Sequence, residues 1–186
     1  WPVVETMPDP PTPSDVASLE KHRQVIQMLR KEFGMKVIIA LCPNVIADNA
    51  EAAKYTFEQR HFFYCDRRVN PADPEAVRRM MRTREKLLAP LAEADAFSII
   101  DSDPGGYIGS TDEEFVRLME EQTALFREIH PGGELIYWML LGWENYNRFW
   151  AETARRKNGE PMPEWHWDLP TFFQTLTLMQ ERIAEP

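Results

Sequence analysis

Three acids closely follow apolar runs of this sequence, at positions where their carboxylates could take part in catalysis. Asp101 and Asp103 follow the run Ala96–Ile100, and Glu144 follows the run at 134–141. Such runs are typical of strands buried in parallel sheets, whose ligands bind at the carboxyl ends of the strands. Neighbouring strands lie about 4.8 Å apart, so acids at their ends can reach the roughly 5–9.5 Å that separates carboxyl pairs in glycoside hydrolysis. We therefore predict that Asp101 or Asp103 forms a catalytic pair with Glu144, as nucleophile or acid/base partners.

Five further side chains follow the same strand ends and could bind a ligand. They are Asn44 after the first strand, Arg67 after the second, Tyr107 in the loop after the third, and Trp143 and Asn145 after the fourth. Amide and guanidinium groups hydrogen-bond hydroxyl or acidic groups, and an indole ring stacks on the face of a sugar. This combination predicts a polyhydroxylated ligand, a carbohydrate, as the substrate.

Each of these candidates also has a structural interpretation. Asp103 can cap a turn at the proline that follows it, while Asp101 bonds nearby backbone amides. Glu144 can be an acid at a helix N-terminus, with Trp143 packing in the core. Arg67 can be a solvated loop charge that pairs with a neighbouring acid. The sequence leaves these alternatives open.

Composition and charge exclude several classes of protein. The 186 residues are 44% hydrophobic and 11% aromatic, which excludes wholesale disorder. Lys and Arg number 21 against 30 Asp and Glu, and the resulting net charge of −9 disfavours nucleic-acid partners. The longest apolar run, at 135–143, has about half of the roughly 20 residues that cross a bilayer, so we predict no membrane span.

Neither a metal site nor a nucleotide site is predicted. The four histidines, His22, His61, His130 and His166, lack the spacing of metal-binding motifs. No glycine-rich phosphate turn follows a strand. We therefore expect the protein to require no cofactor.

The elements that would position these side chains alternate as strand, loop and helix. Residues 1–13, with five prolines, predict an extended arm. Strands are predicted at 36–42, 61–65, Ala96–Ile100 and 134–141. Helices are predicted from a cap at Ser14 or Asp15 to Phe33, after the cap Asp73, after a capping box of Thr111 and Glu114, and over about 170–183.

This alternation predicts one α/β domain over 14–186, with parallel strands joined by crossover helices. An open doubly wound sheet and a (β/α)8 TIM-type barrel compete, and the missing phosphate turn favours the barrel. Because a whole barrel typically needs about 250 residues, we predict a partial or reduced one. Its open strand edges would be covered by further barrel segments of the same protein.

Short motifs along the chain resemble a known family. Cys42, Pro43 and Asn44 end a strand, the run 70–75 opens a helix, and a strand closes in the Asp-Pro-Gly-Gly run at 103–106 before an acidic helix and a Trp-rich strand. This succession resembles bacterial TIM-barrel glycoside hydrolase-like proteins, which are distantly similar to the glycoside hydrolase family 20 hexosaminidases. The resemblance implies a carbohydrate-handling barrel in an extracytoplasmic setting.

Three functions follow as hypotheses. The first is a glycoside hydrolase-like enzyme that cleaves a glycosidic bond with the paired carboxylates. The second is a non-catalytic sugar-binding or structural segment of a larger protein, whose carboxylates only hydrogen-bond hydroxyl groups. A lyase or isomerase on the same barrel is the third, since a fold does not fix its chemistry.

Overall fold

The structure, a computed structural model, describes residues 11–46, 67–100, 107, 109–139, 142–145 and 169–183. In chain order the elements are α1 (Pro13–Lys31), β1 (Ile38–Leu41), β2 (Val45–Ile46), β3 (Arg67–Arg68), α2 (Pro74–Leu88), a 3-10 turn (Ala89–Leu91), β4 (Ala96–Ile100), α3 (Asp112–Ile129), β5 (Glu134–Trp138) and α4 (Leu169–Ile183). Within these ranges, every helix is too short or too polar to cross a membrane.

A parallel sheet of three strands, in the order β1-β4-β5, forms the centre of the fold. Leu41 is the register partner of Ile99 in β4, and Ile100 is the partner of Trp138 in β5. The predicted α/β fold with parallel strands is thus confirmed, and the third and fourth apolar runs end at the same edge. The described strands do not close into a barrel.

Two strand predictions differ from the structure or lie outside it. The predicted strand at 61–65 is outside the described residues, and β5 ends at Trp138, short of the predicted 141. An unpredicted antiparallel pair joins β2 and β3, with Val45 opposite Arg68. Arg67 itself lies in the short strand β3. Two-residue strands have no hydrophobic period that a sequence could reveal.

Helix starts follow local capping rules. Asp73 caps α2 as predicted, its Oδ1 accepting from Glu75 N at 2.9 Å. The predicted capping box of Thr111 and Glu114 is present at α3, with Thr111 N donating to Glu114 Oε2 at 3.0 Å.

The predicted cap of α1 at Ser14 or Asp15 is wrong. Thr12 caps the helix instead, and its hydroxyl accepts from Asp15 N at 3.2 Å. Pro13 fits the first helical position because its missing N–H has no helical partner there. The helix therefore takes Pro13 from the predicted arm and ends at Lys31, before Phe33, which is 63% exposed.

The core lies on one face of the sheet. Alternate strand side chains, Leu41, Phe97 and Ile99, form one buried cluster with residues of α2, α3 and α4. Phe97 stacks on Phe126 of α3 with ring centroids 5.0 Å apart. On the other face Ile38 and Trp138 are about half exposed, at 53% and 51%. The helices therefore cover the face of the sheet that carries Leu41, Phe97 and Ile99.

Candidate functional site

The predicted site residues divide into those that the structure describes and those that it does not. Asp101 and Asp103 lie outside the described residues, and so does the side chain of Arg67. Their predicted roles stay predictions. The other five, Asn44, Tyr107, Trp143, Glu144 and Asn145, are described.

Glu144 and Asp112 hold each other through reciprocal hydrogen bonds. Glu144 lies in a helical turn at 143–145, and Asp112 is the first residue of α3. Asp112 N donates to Glu144 Oε1 at 3.0 Å, and Glu144 N donates to Asp112 Oδ1 at 3.3 Å. The first N–H groups of a helix have no helical acceptor and carry partial positive charge, which favours a carboxylate at that point. The Glu144 carboxylate therefore lies at the N-terminus of α3, in agreement with the structural interpretation of this residue as an acid at a helix N-terminus. Its side chain remains part-buried.

Thr175 of α4 joins this pair to the rest of the fold. Its hydroxyl donates to Asp112 Oδ1 at 2.5 Å and accepts from Trp143 N at 3.1 Å. Thr175 is fully buried. One hydroxyl thus connects α3, the turn 143–145 and α4, using its donor and one of its acceptor sites.

The Asp112 carboxyl group is buried and only partly satisfied. It is 0% exposed, and its Oδ2 has no hydrogen-bond partner among the described residues. Burial raises the pKa of Asp112 to about 6, the Thr175 bond opposes that rise, and the negative charge of Glu144 adds to it. This carboxyl group therefore changes its protonation state around pH 6.

Trp143 lies in the core. Its ring is 0% exposed and stacks on Phe115, with centroids 4.3 Å apart and 12° between the planes. The indole N–H donates to Ser110 Oγ at 3.0 Å. Trp143 therefore has the packing role that its sequence left open, and it presents no exposed face to a ligand.

The remaining described candidates are also mostly enclosed. Asn44 is 0% exposed, and its amide Nδ2 donates to the carbonyl of Val69 at 2.8 Å. Asn145 is 5% exposed. Tyr107 is part-buried and packs against the core. Asn145 follows Glu144 in the turn 143–145, whereas Asn44 lies between β1 and β2 and joins this segment to Val69 through its hydrogen bond.

A buried polar cluster near the end of β1 was missed by the sequence reasoning. Arg84 of α2, 2% exposed, donates to Gln122 Oε1 and to the carbonyl of Cys42. Gln122 Nε2 of α3 donates to the carbonyl of Pro43 at 3.1 Å. The available signal was an arginine on the apolar face of α2, four residues after the buried Met80.

Asp112 and Thr175 were missed as well. The sequence indicated only that Asp112 opens a helix, and Thr175 is an ordinary polar residue of α4. Within the described ranges, no group of three or more His, Cys, Asp or Glu side chains could hold a metal ion.

Comparison of the chain with protein-family models, with curated proteins and with solved structures finds no match. The family resemblance of the sequence therefore stays a prediction. What distinguishes this region is a part-buried carboxylate held against a buried one, beside the carboxyl-end edge of a parallel sheet.

Proposed function

We propose that the chain is a carbohydrate-active, glycoside hydrolase-like protein, a partial or reduced (β/α)8 barrel that cleaves a glycosidic bond with paired carboxylates. One observation supports it most: the parallel register that ends β4 at Ile100 beside the end of β5 at Trp138. Acids that follow these two strands start from the same edge, which is where parallel α/β folds bind ligands.

Glu144 is the proposed general acid. Its Oε1 is oriented by Asp112 N at 3.0 Å, and the side chain remains part-buried and not enclosed. An oriented carboxyl group can give a proton to the leaving oxygen and take it back from water. Asp101 or Asp103 would attack or polarise the anomeric centre.

The other proposed roles concern substrate position. Tyr107 and Asn145 would hydrogen-bond sugar hydroxyl groups, and Arg67 would bind an acidic group on the sugar. Trp143, being fully buried, would support the turn that carries Glu144. No cofactor takes part in this proposed reaction.

A second candidate is a non-catalytic sugar-binding or structural segment of a larger protein. It is favoured by the contacts of Glu144 with the α3 terminus, because a carboxylate in that position stabilises a helix without any reaction. Further barrel segments of the same protein would then complete the fold.

The substitution Glu144→Gln separates the two candidates. Its amide oxygen can still accept from Asp112 N, so the fold should persist while the general acid is lost. The rate at which the variant hydrolyses a panel of oligosaccharides, measured as the release of reducing ends, should fall by on the order of a hundredfold. The matched control is Glu121→Gln, an exposed acid of α3, which should hydrolyse as the parent does. Calorimetric binding without release of product would support the second candidate, and unchanged hydrolysis would remove Glu144 from the reaction.

A further inference from the structure

The pair of Asp112 and Glu144 is joined by two reciprocal hydrogen bonds, although the two residues lie 32 positions apart in the chain. The bonds follow the pattern of a capping box, with Glu144 Oε1 accepting from Asp112 N at 3.0 Å and Asp112 Oδ1 accepting from Glu144 N at 3.3 Å. Unlike a local capping box, they bring the carboxyl groups of two distant segments close enough for the charge of Glu144 to act on Asp112. We infer that Asp112 and Glu144 act as one coupled carboxylate pair, in which Asp112 positions Glu144 and its ionisation regulates the charge of the site, a role that rests on the proposed function.

The positioning follows from how firmly Asp112 itself is held. Its Oδ1 accepts from Thr175 Oγ1 at 2.5 Å as well as from Glu144 N. The side chain is fully buried, so it has no solvated alternative position close by. Both the main chain and the carboxyl group of Glu144 are thereby tied to one residue, which makes Asp112 a positioning residue.

The regulation follows from the charges that face Asp112. From the turn 143–145 comes Glu144, and on α3 the adjacent Glu113 is also acidic; both raise the pKa of Asp112 after the larger effect of burial. From α4 the contact is the neutral Thr175. The described cation of that helix, Arg182, pairs with Glu113 at 2.9 Å and with Glu120. Among the described residues no cation bonds Asp112, and the groups there that stabilise its negative charge are the hydrogen-bond donors Thr175 and Glu144 N and the N-terminus of α3.

Oδ2 is the oxygen on which the proton of Asp112 would reside. Oδ1 already accepts two hydrogen bonds, whereas Oδ2 is buried without a partner among the described residues. The negative charge of Glu144 disfavours a second negative charge on Asp112, so Asp112 keeps its proton to a higher pH than it would beside a neutral residue. Asp112 can therefore hold a proton next to the proposed site under mildly acidic conditions.

Carbon-detected NMR of chain labelled at the aspartate carboxyl carbons tests the coupling, with Asp112→Asn assigning the signal. In the parent chain the pKa of Asp112 should be about 6. In Glu144→Gln it should move towards the ordinary 3.8, because a like charge has been removed, and in the control Glu121→Gln it should stay in place. An Asp112 signal that titrates identically in the parent and in Glu144→Gln would overturn the inference.

Thr175 provides the test of positioning. Thr175→Val loses the hydroxyl that lowers the pKa of Asp112, so the titration should move to higher pH. Thr175→Ser keeps a hydroxyl, so in this variant Asp112 should titrate as it does in the parent. Failure of the serine variant to titrate as the parent does in a folded chain would show that Thr175 does not fix Asp112, the step on which the positioning of Glu144 depends, as would a valine variant that titrates like the parent.

The two proposals fail separately. If the pKa of Asp112 depends on Glu144 but no hydrolysis is found, the proposed function is wrong and the inference about the carboxylate pair stands. Hydrolysis that depends on Glu144, combined with an Asp112 that titrates as an exposed aspartate does, would remove the coupling and keep the enzyme.

Discussion

Trp143 lies flat against Phe115, with 4.3 Å between their ring centroids and 12° between their planes. Phe115 belongs to the first turn of α3, and Trp143 directly precedes Glu144. Aromatic stacking of this kind adds about 0.5–1.5 kcal/mol to the burial of the rings. The position of the Glu144 backbone is therefore set by the hydrophobic core as well as by the hydrogen bonds of Asp112.

Trp143→Ala should lower the free energy of unfolding by about 3–5 kcal/mol, because removal of a fully buried ring leaves a cavity and takes away the indole N–H that donates to Ser110 Oγ. Denaturation by urea measures the loss. The matched control is Trp138→Ala, whose ring is 51% exposed and which should cost far less. Equal losses in the two variants would show that Trp143 does not pack as described.

Asp112 should make stability depend on pH between about 4 and 6. Its pKa in the folded chain, about 6, exceeds the ordinary 3.8, so the folded state binds the proton more tightly. That contribution to stability is present at low pH and is lost as pH rises through 6. A shift of about two units corresponds to at most about 3 kcal/mol.

The variant Asp112→Asn isolates this effect, since its amide carries no charge at any of these pH values. The difference in unfolding free energy between the variant and the parent should change steadily in favour of the variant from pH 4 to pH 6 and then level off. Urea denaturation at four or five pH values measures it. A difference independent of pH would exclude a raised pKa at Asp112.

Arg84→Met should destabilise the fold by about 2–4 kcal/mol, because Gln122 Oε1 and the carbonyl of Cys42 lose a buried donor. Arg79→Met, at an exposed position of the same helix, is the control and should change stability little. Thermal and urea unfolding of the two variants make the comparison. A mild effect at Arg84 would mean that water replaces its hydrogen bonds.

Gly133→Ala tests a close contact at the end of α3. A Cβ at this glycine would overlap the ring of His130, whereas a Cβ at Gly132 would meet nothing within 4 Å. The His130 ring lies edge-on to Phe97, so displacing it also disturbs the core. We expect a loss of about 1–3 kcal/mol for Gly133→Ala and a near-neutral Gly132→Ala. Equal stabilities of the two variants would argue against this packing.

Features of the fold that depend on neighbouring residues could be predicted from the sequence. Asp73 and Thr111 cap their helices with groups two or three residues away, and β4 occupies the predicted Ala96–Ile100. The sequence prediction of the α1 cap is wrong because Ser14 is as good a capping residue as Thr12, and what distinguishes Thr12 is the proline that follows it and the capping box that it forms with Asp15.

Features that depend on distant residues could not be predicted. Thr175 lies 63 residues from Asp112, and Gln122 lies 38 residues from Arg84, so neither pair has a spacing signal. The burial of Trp143 likewise depends on α3 and α4 packing around it. Sequence reasoning ranked Trp143 as a ligand platform because aromatic residues serve both purposes, and the choice between them is made by tertiary packing.

The hydroxyl of Thr175 has a consequence for the order in which this protein matures. While a growing chain still has α4 inside the ribosome, Asp112 has no threonine donor and Trp143 N has no acceptor from that helix. These contacts of the Glu144 neighbourhood are therefore completed only after residues 169–183 have emerged, and a fragment ending before α4 would leave Asp112 and Trp143 N without their Thr175 partner.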